Sequence, residues 1–400
     1  MSWVERSLDE LGYVSRGKSR HRPRDAEHLY GGIYPFVQTG DVKHAGLYLT
    51  EYSQTYSEAG LAQSKLWPAG TLCITIAANI ADTAILAIDA CFPDSVIGFI
   101  PNTQKSDARF IKYLFDAELK LKYKQFTQGA AQDNLSQGKL LALRFLVPDS
   151  VKEQTKIADL IAQYDDLIEN NRRRIQLLEE SARLLYKEWF VHLHFPGHEH
   201  VKVVDGVPEG WEKTTANEVM DILSGGTPKT TTPEYWDGDI PFFTPKDAKI
   251  SVFTNDTEKN ITEVGLKKCN SRLYPKYTVF ITARGTVGKL SLAQRPMAMN
   301  QSCYALVGKN GMTQLFLFCA LKASIEQFKA RASGSVFDSI VVDTFAQIPF
   351  LKPTEHFIEE FTSEISGVFN QIDTLLLMNK KLGQARDLLL PKLMSGEIAV

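Results

Sequence analysis

The strongest constraint on this 400-residue chain is that it repeats itself. Trp3 and Trp211 each open a half, and at the same offset of 208 residues Gly17 of GYVSRGKS stands opposite Gly225 of SGGTPK. IYPFVQTGDVK (33–43) answers DIPFFTPKDAK (239–249). Farther on, FTQGAAQDNLSQGKLLALRFLVP (126–148) answers RASGSVFDSIVVDTFAQIPFLKP (331–353), with Gly129 opposite Gly334, Asp133 opposite Asp338 and Pro148 opposite Pro353. Self-similarity at one offset means a structural unit built twice. A chain of this length suits two domains with connecting elements better than a single core.

Each half ends in a long helical pattern. Apolar residues step by four and three through Ile161, Tyr164, Ile168, Asn171, Ile175, Leu178, Ala182, Leu185 and Trp189, and the pattern stops at Pro196 and Gly197. A second stripe runs through Ile358, Phe361, Ile365, Val368, Ile372, Leu375, Asn379 and Leu382. These are heptad seams, each interrupted by one asparagine of the kind that fixes register between paired helices. Helices of about 40 residues would be about 60 Å long, longer than a globular core needs, so the expectation is that the two pack on each other. Within the halves, GTLCITIA and YTVFITAR are rich in β-branched and aromatic residues and read as strands. RFIKYLFDAELKLKYKQF and QLFLFCALKASIEQFKARA read as helices ended by Gly129 and Gly334. The expected fold class is α+β: two mixed globular domains (1–150 and 196–355) separated by two helical spacers (151–195 and 356–400) that form an antiparallel coiled coil with approximate twofold symmetry.

Several chemistries are tempting and fail on context. Residues 12–19, GYVSRGKS, match the phosphate-loop pattern G-x-x-x-x-G-K-[ST], which needs a buried strand before it and a helix after it. Polar residues precede it, Pro23 and a crowd of positive charge follow it, and the second repeat has Gly226 and Thr227 in place of Lys18 and Ser19. Pro93, Asp94, Glu118 and Lys120 satisfy a loose nuclease pattern, but Glu118 and Lys120 fall in a helical run, where residues two apart face different sides. His192, His194, His198 and His200 of HLHFPGHEH read as an exposed linker rather than a zinc site. No N-P-P-[FYW] tetrapeptide for adenine methylation is present. The five cysteines are odd in number without paired spacing, no stretch is apolar over the roughly 18 residues of a membrane helix, and no signal peptide opens the chain. A reduced, cytoplasmic protein without a membrane partner is the expectation. The net charge of -2 does not announce a polyanion partner, but a neutral total can hide basic patches.

The sequences QTKIADLIAQYDDLIENNRRRIQLLEESARLLYKEWFVHLHFPG (154–197), FTQGAAQDNLS and GGTPKTTTPEYWDGDIPFFTPKD (225–247) resemble the specificity subunits of type I restriction and modification enzymes, over essentially the whole chain. The resemblance implies a subunit without chemistry of its own. It would bind a bipartite sequence in double-stranded DNA, one part per target-recognition domain, while the helices set the spacing and dock two modification subunits. S-adenosylmethionine would bind those partners, which methylate adenine. ATP and Mg would belong to partner subunits, two restriction subunits adding translocation and cleavage where they are present. No cofactor or metal is expected in this chain. The open alternatives are a nuclease or nucleotide hydrolase using the GYVSRGKS loop, and a coiled-coil scaffold unconnected to DNA.

Candidate DNA contacts follow from charge and loop placement. Lys18, Arg20, Arg22 and Arg24 can grip phosphates, as can Thr227, Lys229 and Thr230 in the second copy. Lys43 and Lys246 follow the aligned PF segments. The turns AANIAD (77–82) and ARGTVGK (283–289) place Asn79, Arg284, Thr286 and Lys289 on loops, where Arg can fork onto guanine and Asn onto adenine. Gln132, Asn134, Arg331 and Ser335 belong to the paired segments near the helix junctions. Each could equally cap a turn or lie on a solvated surface. Leu160, Leu167, Leu177, Leu184, Phe190, Leu376, Leu377, Leu388 and Leu390 widen the apolar stripe beyond a two-helix seam, the expected place for a partner subunit.

Overall fold

The structure is a computed structural model and describes residues 2–126, 135–248, 251–331 and 340–400. It divides into two compact units, Met1–Asn171 with Met378–Val400, and Arg172–Leu377. The division runs through the long helices rather than at their ends, so each unit contains a sheet domain and half of each helix.

In the first unit a five-stranded sheet is built from β1 (Gly12–Arg16), β2 (Tyr48–Leu49), β3 (Leu72–Thr75), β4 (Thr83–Leu86) and β5 (Val96–Pro101), in the order β1-β5-β3-β4-β2. All neighbours are antiparallel except β2, which runs parallel to β4. Helix α1 (Ala108–Phe126) covers one face. A smaller sheet of Tyr30–Phe36, Gln54–Tyr56, Leu66–Trp67 and Ala90–Cys91 accompanies it. Burial on both faces explains the unbroken apolar run LCI in β3: Leu72 and Ile74 join the core with Phe110, Ile111 and Leu114 of α1, while Cys73 packs the other way with Trp67 and Phe92.

Helix α2 (Val151–Phe190) then leads into the second unit, where β6 (Met220–Ser224), β7 (Phe253–Thr254), β8 (Val279–Thr282), β9 (Leu290–Ala293) and β10 (Cys303–Gly308) repeat the order as β6-β10-β8-β9-β7. Val279 and Ile281 face the core that includes Phe316 of α3 (Gln314–Arg331), and Phe280 faces the small sheet. Helix α4 (Glu355–Met394) ends the chain's helical part. The repeat reaches individual contacts. Trp3 pairs with Pro148, and the register Glu212 to Lys352 carries Trp211 toward Pro353. Ser57 and Thr262 cap matching short helices by accepting the amides of Gly60 and Gly265.

The expected seam is buried. Ile157, Ala158, Ile161 and Ala162 share the first unit's core with Leu390, Leu393 and Met394, while Ile175, Ala182, Tyr186 and Trp189 share the second's with Ile358, Phe361, Ile365 and Ile372. The start of α2 therefore runs beside the end of α4, and the pair is antiparallel. The two asparagines meet: Asn171, 1% exposed, donates its Nδ2 to Asn379 Oδ1 at 2.9 Å, and Asn379 Nδ2 donates to the Ile168 carbonyl at 3.3 Å. They are separated by the repeat offset itself (379 − 171 = 208), so each asparagine meets its own counterpart in the repeat.

The sheet domains dock on the helices through polar contacts that differ between units. In the first, Tyr113 Oη donates to Asp165 Oδ2 at 2.7 Å and Arg386 Nη1 donates to Asp165 Oδ1 at 2.5 Å. Burial, with the Asp165 carboxylate beside it, pushes the Tyr113 hydroxyl far above its ordinary range. In the second unit Lys276 Nζ reaches Asp373 Oδ2 at 2.6 Å, Gln294 Nε2 donates to Asp373 Oδ1 at 2.6 Å, and Tyr277 Oη donates to Asn370 Oδ1 at 2.9 Å.

An unpaired buried polar group costs more than a satisfied pair contributes. Asn171→Leu, or Asn379→Leu, should therefore destabilise the chain by about 1–3 kcal/mol. The double Leu variant should recover most of that loss or exceed the parent. Urea unfolding of the three variants checks this, and additive losses in the double variant would show that the amides do not act as a pair.

Candidate nucleic-acid interface

Strand direction decides where the candidate residues gather. Because β1, β5, β3 and β4 alternate in direction, the C-terminal ends of β1 and β3 and the N-terminal ends of β5, β4 and β2 lie at one end of the sheet. That end carries residues 17–26, the short helix Thr39–His44, the turn 76–82 and residues 92–95. The other end receives the start of α2: Gln154, fully buried, donates to the carbonyls of Lys105 and Pro148 and accepts the Asp107 amide. Lys18, Arg20, Arg22, Arg24 and Asn79 thus fall on loops, and Lys43 on the short helix, at the end away from the α2 junction. The second unit places Thr227, Lys229, Thr230, Lys246, Arg284, Thr286 and Lys289 at the corresponding end.

The opening loop is built by packing, not for phosphates. Residues 12–16 are a strand rather than a cradle, and the next helical element after Ser19 is the single turn Glu27–Leu29. A Cβ on Gly17 would lie 2.3 Å from the Phe92 carbonyl oxygen, and one on Gly225 would lie 2.2 Å from that of Asn300. Both glycines are required by backbone contact, so the phosphate-loop alternative loses its motif. Gln63 Oε1 accepts the amides of Arg20 and His21 at 2.6 and 3.0 Å, and Ser64 Oγ donates to the Lys18 carbonyl at 2.7 Å. Arg22 Nη1 holds the carbonyls of Ser19 and His21, and Arg24 Nη2 lies 2.9 Å from Asp94 Oδ2. Arg20 is anchored by its backbone and leaves its exposed side chain in solvent. Gln63 and Ser64 escaped the sequence reading because they act from 43 and 46 residues away.

The turns after β3 and β8 are one structure with different side chains. Thr75 Oγ1 accepts the Asp82 amide at 3.0 Å and donates to the Asn79 carbonyl; Thr282 Oγ1 accepts the Lys289 amide at 3.0 Å and donates to the Thr286 carbonyl. Left-handed backbone occurs at Ala78 and Ala81 in the first and at Gly285 and Gly288 in the second. Residues 77–82 therefore match 284–289. The first turn has its asparagine held, Lys43 Nζ donating to Asn79 Oδ1 at 3.2 Å. In the second, Arg284, Thr286 and Lys289 are exposed. Thr286 Oγ1 and Lys289 Nζ lie at the long limit of a hydrogen bond, 3.5 Å from the carbonyls of Pro245 and Ala248.

Elsewhere at this end, Thr227 Oγ1 meets Gln301 Oε1, Lys229 and Thr230 are exposed, and Lys246 lies 3.6 Å from Glu258. That last pair is exposed on both sides and contributes little. Gln132, Asn134 and Ser335, with the side chain of Arg331 and the helix-ending Gly129 and Gly334, lie outside the described residues. Among the described residues no three His, Cys, Asp or Glu side chains converge as metal ligands. His192 and His194 instead flank Glu188 at 3.9 and 3.1 Å. Glu118 lies in helix α1, not on a strand, which separates it from the nuclease pattern. Burial pushes the thiols of Cys303 and Cys319 up to about 12.

The helix residues expected to face a partner divide. Leu167, Leu177, Leu184, Leu377 and Leu388 are exposed, Leu177 by 70% and Leu388 by 73%. Phe190 and Leu390 are corrections: Phe190 is enclosed by Trp211, Phe316 and Phe361, and Leu390 lies in the first unit's core. Leu160 and Leu376 are half-buried against the same cores. No helix among the described residues is long and apolar enough to cross a membrane.

Two repeated sheet domains, each presenting polar and basic loops at one sheet end, define a two-module recognition protein. Residues 1–180 and 208–356 match the family model described as the type I restriction modification DNA specificity domain. The chain belongs to this family, as a specificity subunit of the type I restriction and modification kind. It is 26% identical over 321 residues to the type I restriction enzyme HindI specificity subunit of Haemophilus influenzae, covering 64% of this chain and 69% of that one. It is 30% identical over 181 residues to the MjaIX specificity subunit of Methanocaldococcus jannaschii, covering 44% of this chain and 40% of that one. The crystal structure of a type I restriction-modification S subunit from M. genitalium shares the fold, with a TM-score of 0.59 at 17% identity over 98% of this chain and 96% of that one.

The equivalence of the turns has an energetic consequence. Left-handed backbone costs an L-residue roughly 1–2 kcal/mol, less the backbone entropy that glycine adds to the unfolded chain. Ala78 is exposed, so Ala78→Gly should stabilise by about 0.5–1 kcal/mol. Gly285→Ala, whose added Cβ meets nothing within 4 Å, should destabilise by a similar amount. Thermal unfolding of both variants reads the difference, and no change in either would mean that the turns do not hold these angles.

Proposed function

We propose that this chain recognises a bipartite sequence in double-stranded DNA, each unit reading one half, and that its helix pair docks two modification subunits that methylate adenine. The observation that carries this reading is the repeated placement of exposed basic and hydroxyl residues on loops at equivalent ends of the two sheets. Arg20, Lys229, Thr230 and Lys289 suit phosphate contact, which supplies affinity and register, whereas base edges supply specificity. The exposed leucines Leu167, Leu177, Leu184, Leu377 and Leu388 suit a protein partner, because apolar surface left in water marks interaction sites. S-adenosylmethionine belongs on the modification subunits. ATP and Mg belong on restriction subunits where the system has them. The compartment is the cytoplasm, where the host DNA lies. The family membership supports DNA recognition; the count of partners and the two-part target are our reading.

The helix pair serves as a ruler. Its docking contacts bracket the asparagines on both helices: on α4 Asn379 lies between Asp373, held by Lys276 and Gln294, and Arg386, and on α2 Asn171 lies between Asp165, held by Tyr113, and Glu179, which accepts the Val252 amide. Shortening the helices would remove docking residues, but one heptad inserted after Asn171 and another after Met378 would spare both sets and lengthen the pair by about 10 Å. In complex with its modification subunits, the lengthened chain should direct methylation to the same two half-sequences separated by a longer spacer. Altered half-sequences at the old spacing would contradict the ruler.

A further inference from the structure

We infer that the turn after the third strand of each unit is a base-reading element, and that Arg284 on the second unit's turn reads a guanine in the major groove. This rests on the DNA-recognition reading above and makes it specific. The turn is rigid at its base: Thr282 is fully buried, its hydroxyl holds the Lys289 amide and the Thr286 carbonyl, and the Ala283 amide donates to the Ser302 carbonyl at 2.8 Å. A stiff base carrying an exposed apex limits the side-chain entropy lost on binding.

Arg284 sits at that apex beside Gly285, is exposed, and makes no hydrogen bond or ion pair among the described residues. Arg22 of the first unit, by contrast, is engaged by carbonyls of its own loop, and Arg24 is paired with Asp94. A guanidinium left without protein acceptors has its fork available, and guanine offers the matching pair of acceptors, O6 and N7.

The first unit holds the same turn with Ala77 at the matching position and Asp82 in place of Lys289. Its asparagine is engaged: Lys43 Nζ donates to Asn79 Oδ1 at 3.2 Å. One backbone device thus presents two different sets of side chains.

The test is to produce the chain with the modification subunits of its own system, as wild type, Arg284→Ala and Arg284→Lys, and map methylated adenines by single-molecule sequencing. The wild-type motif should contain a fixed guanine in one half-sequence. In both variants methylation at sites carrying another base there should rise roughly tenfold to a hundredfold relative to guanine sites, while every other position and the second half-sequence stay unchanged. That second half is the internal control for folding and assembly. An unchanged motif in both variants would overturn the inference. So would a uniform fall in methylation in Arg284→Ala that Arg284→Lys restores, since charge alone would then suffice and the contact would be to phosphate. A wild-type chain that directs no methylation would overturn the DNA-recognition reading itself, and this inference with it.

Discussion

Burial of the heptad seam between α2 and α4 is the interaction on which the rest of the architecture depends. Most of each helix's stability comes from packing its apolar face, and each sheet domain's core includes residues of both helices. Leu390, Leu393 and Met394 from the end of the chain complete the core that begins with Leu8 and Leu11. Ile358, Phe361 and Ile365 do the same beside Trp211. The first unit's core therefore joins residues that lie far apart in sequence. The asparagine pair adds little stability but specifies register: a slip of one heptad would leave both amides facing aliphatic side chains.

What the repeat preserves and what it varies have different physical causes. Strand order, Gly17 and Gly225, the caps Ser57 and Thr262, and the buttresses Thr75 and Thr282 are held because each answers to close backbone geometry. The turn-apex side chains answer to nothing inside the fold, and the docking contacts need only some polar pairing between sheet domain and helix. There Ala77 faces Arg284 in the comparison, and the Tyr113–Asp165–Arg386 contact has Lys276–Asp373–Gln294 as its counterpart in role but not in residue. Recognition chemistry can change at exposed apex side chains such as Arg284 without disturbing the packed layers.

The seam, the repeat and the two central strands were legible in sequence because each is a periodic pattern imposed by burial on a regular element. Phe190 and Leu390 were misread as partner surface because heptad stepping marks only the face toward the second helix. It cannot show that a sheet domain, through Trp211 and Phe316 or Leu8 and Phe110, covers another face. Gln63 and Ser64 were invisible for a similar reason: the loop they anchor is distant in sequence. Ala78 and Ala81 carry left-handed backbone that glycine would have announced and alanine does not. In GYVSRGKS the residues were read in order, but what the order meant depended on whether a strand preceded or occupied the motif, and the structure places the strand within it.

The central claim is that this chain directs its partners to a two-part DNA sequence. The most direct test is to map methylated adenines across the host genome in the intact strain and in one lacking only this chain. The account predicts a bipartite methylated motif in the first that is absent from the second. The same motif persisting at full occupancy without the chain would contradict it.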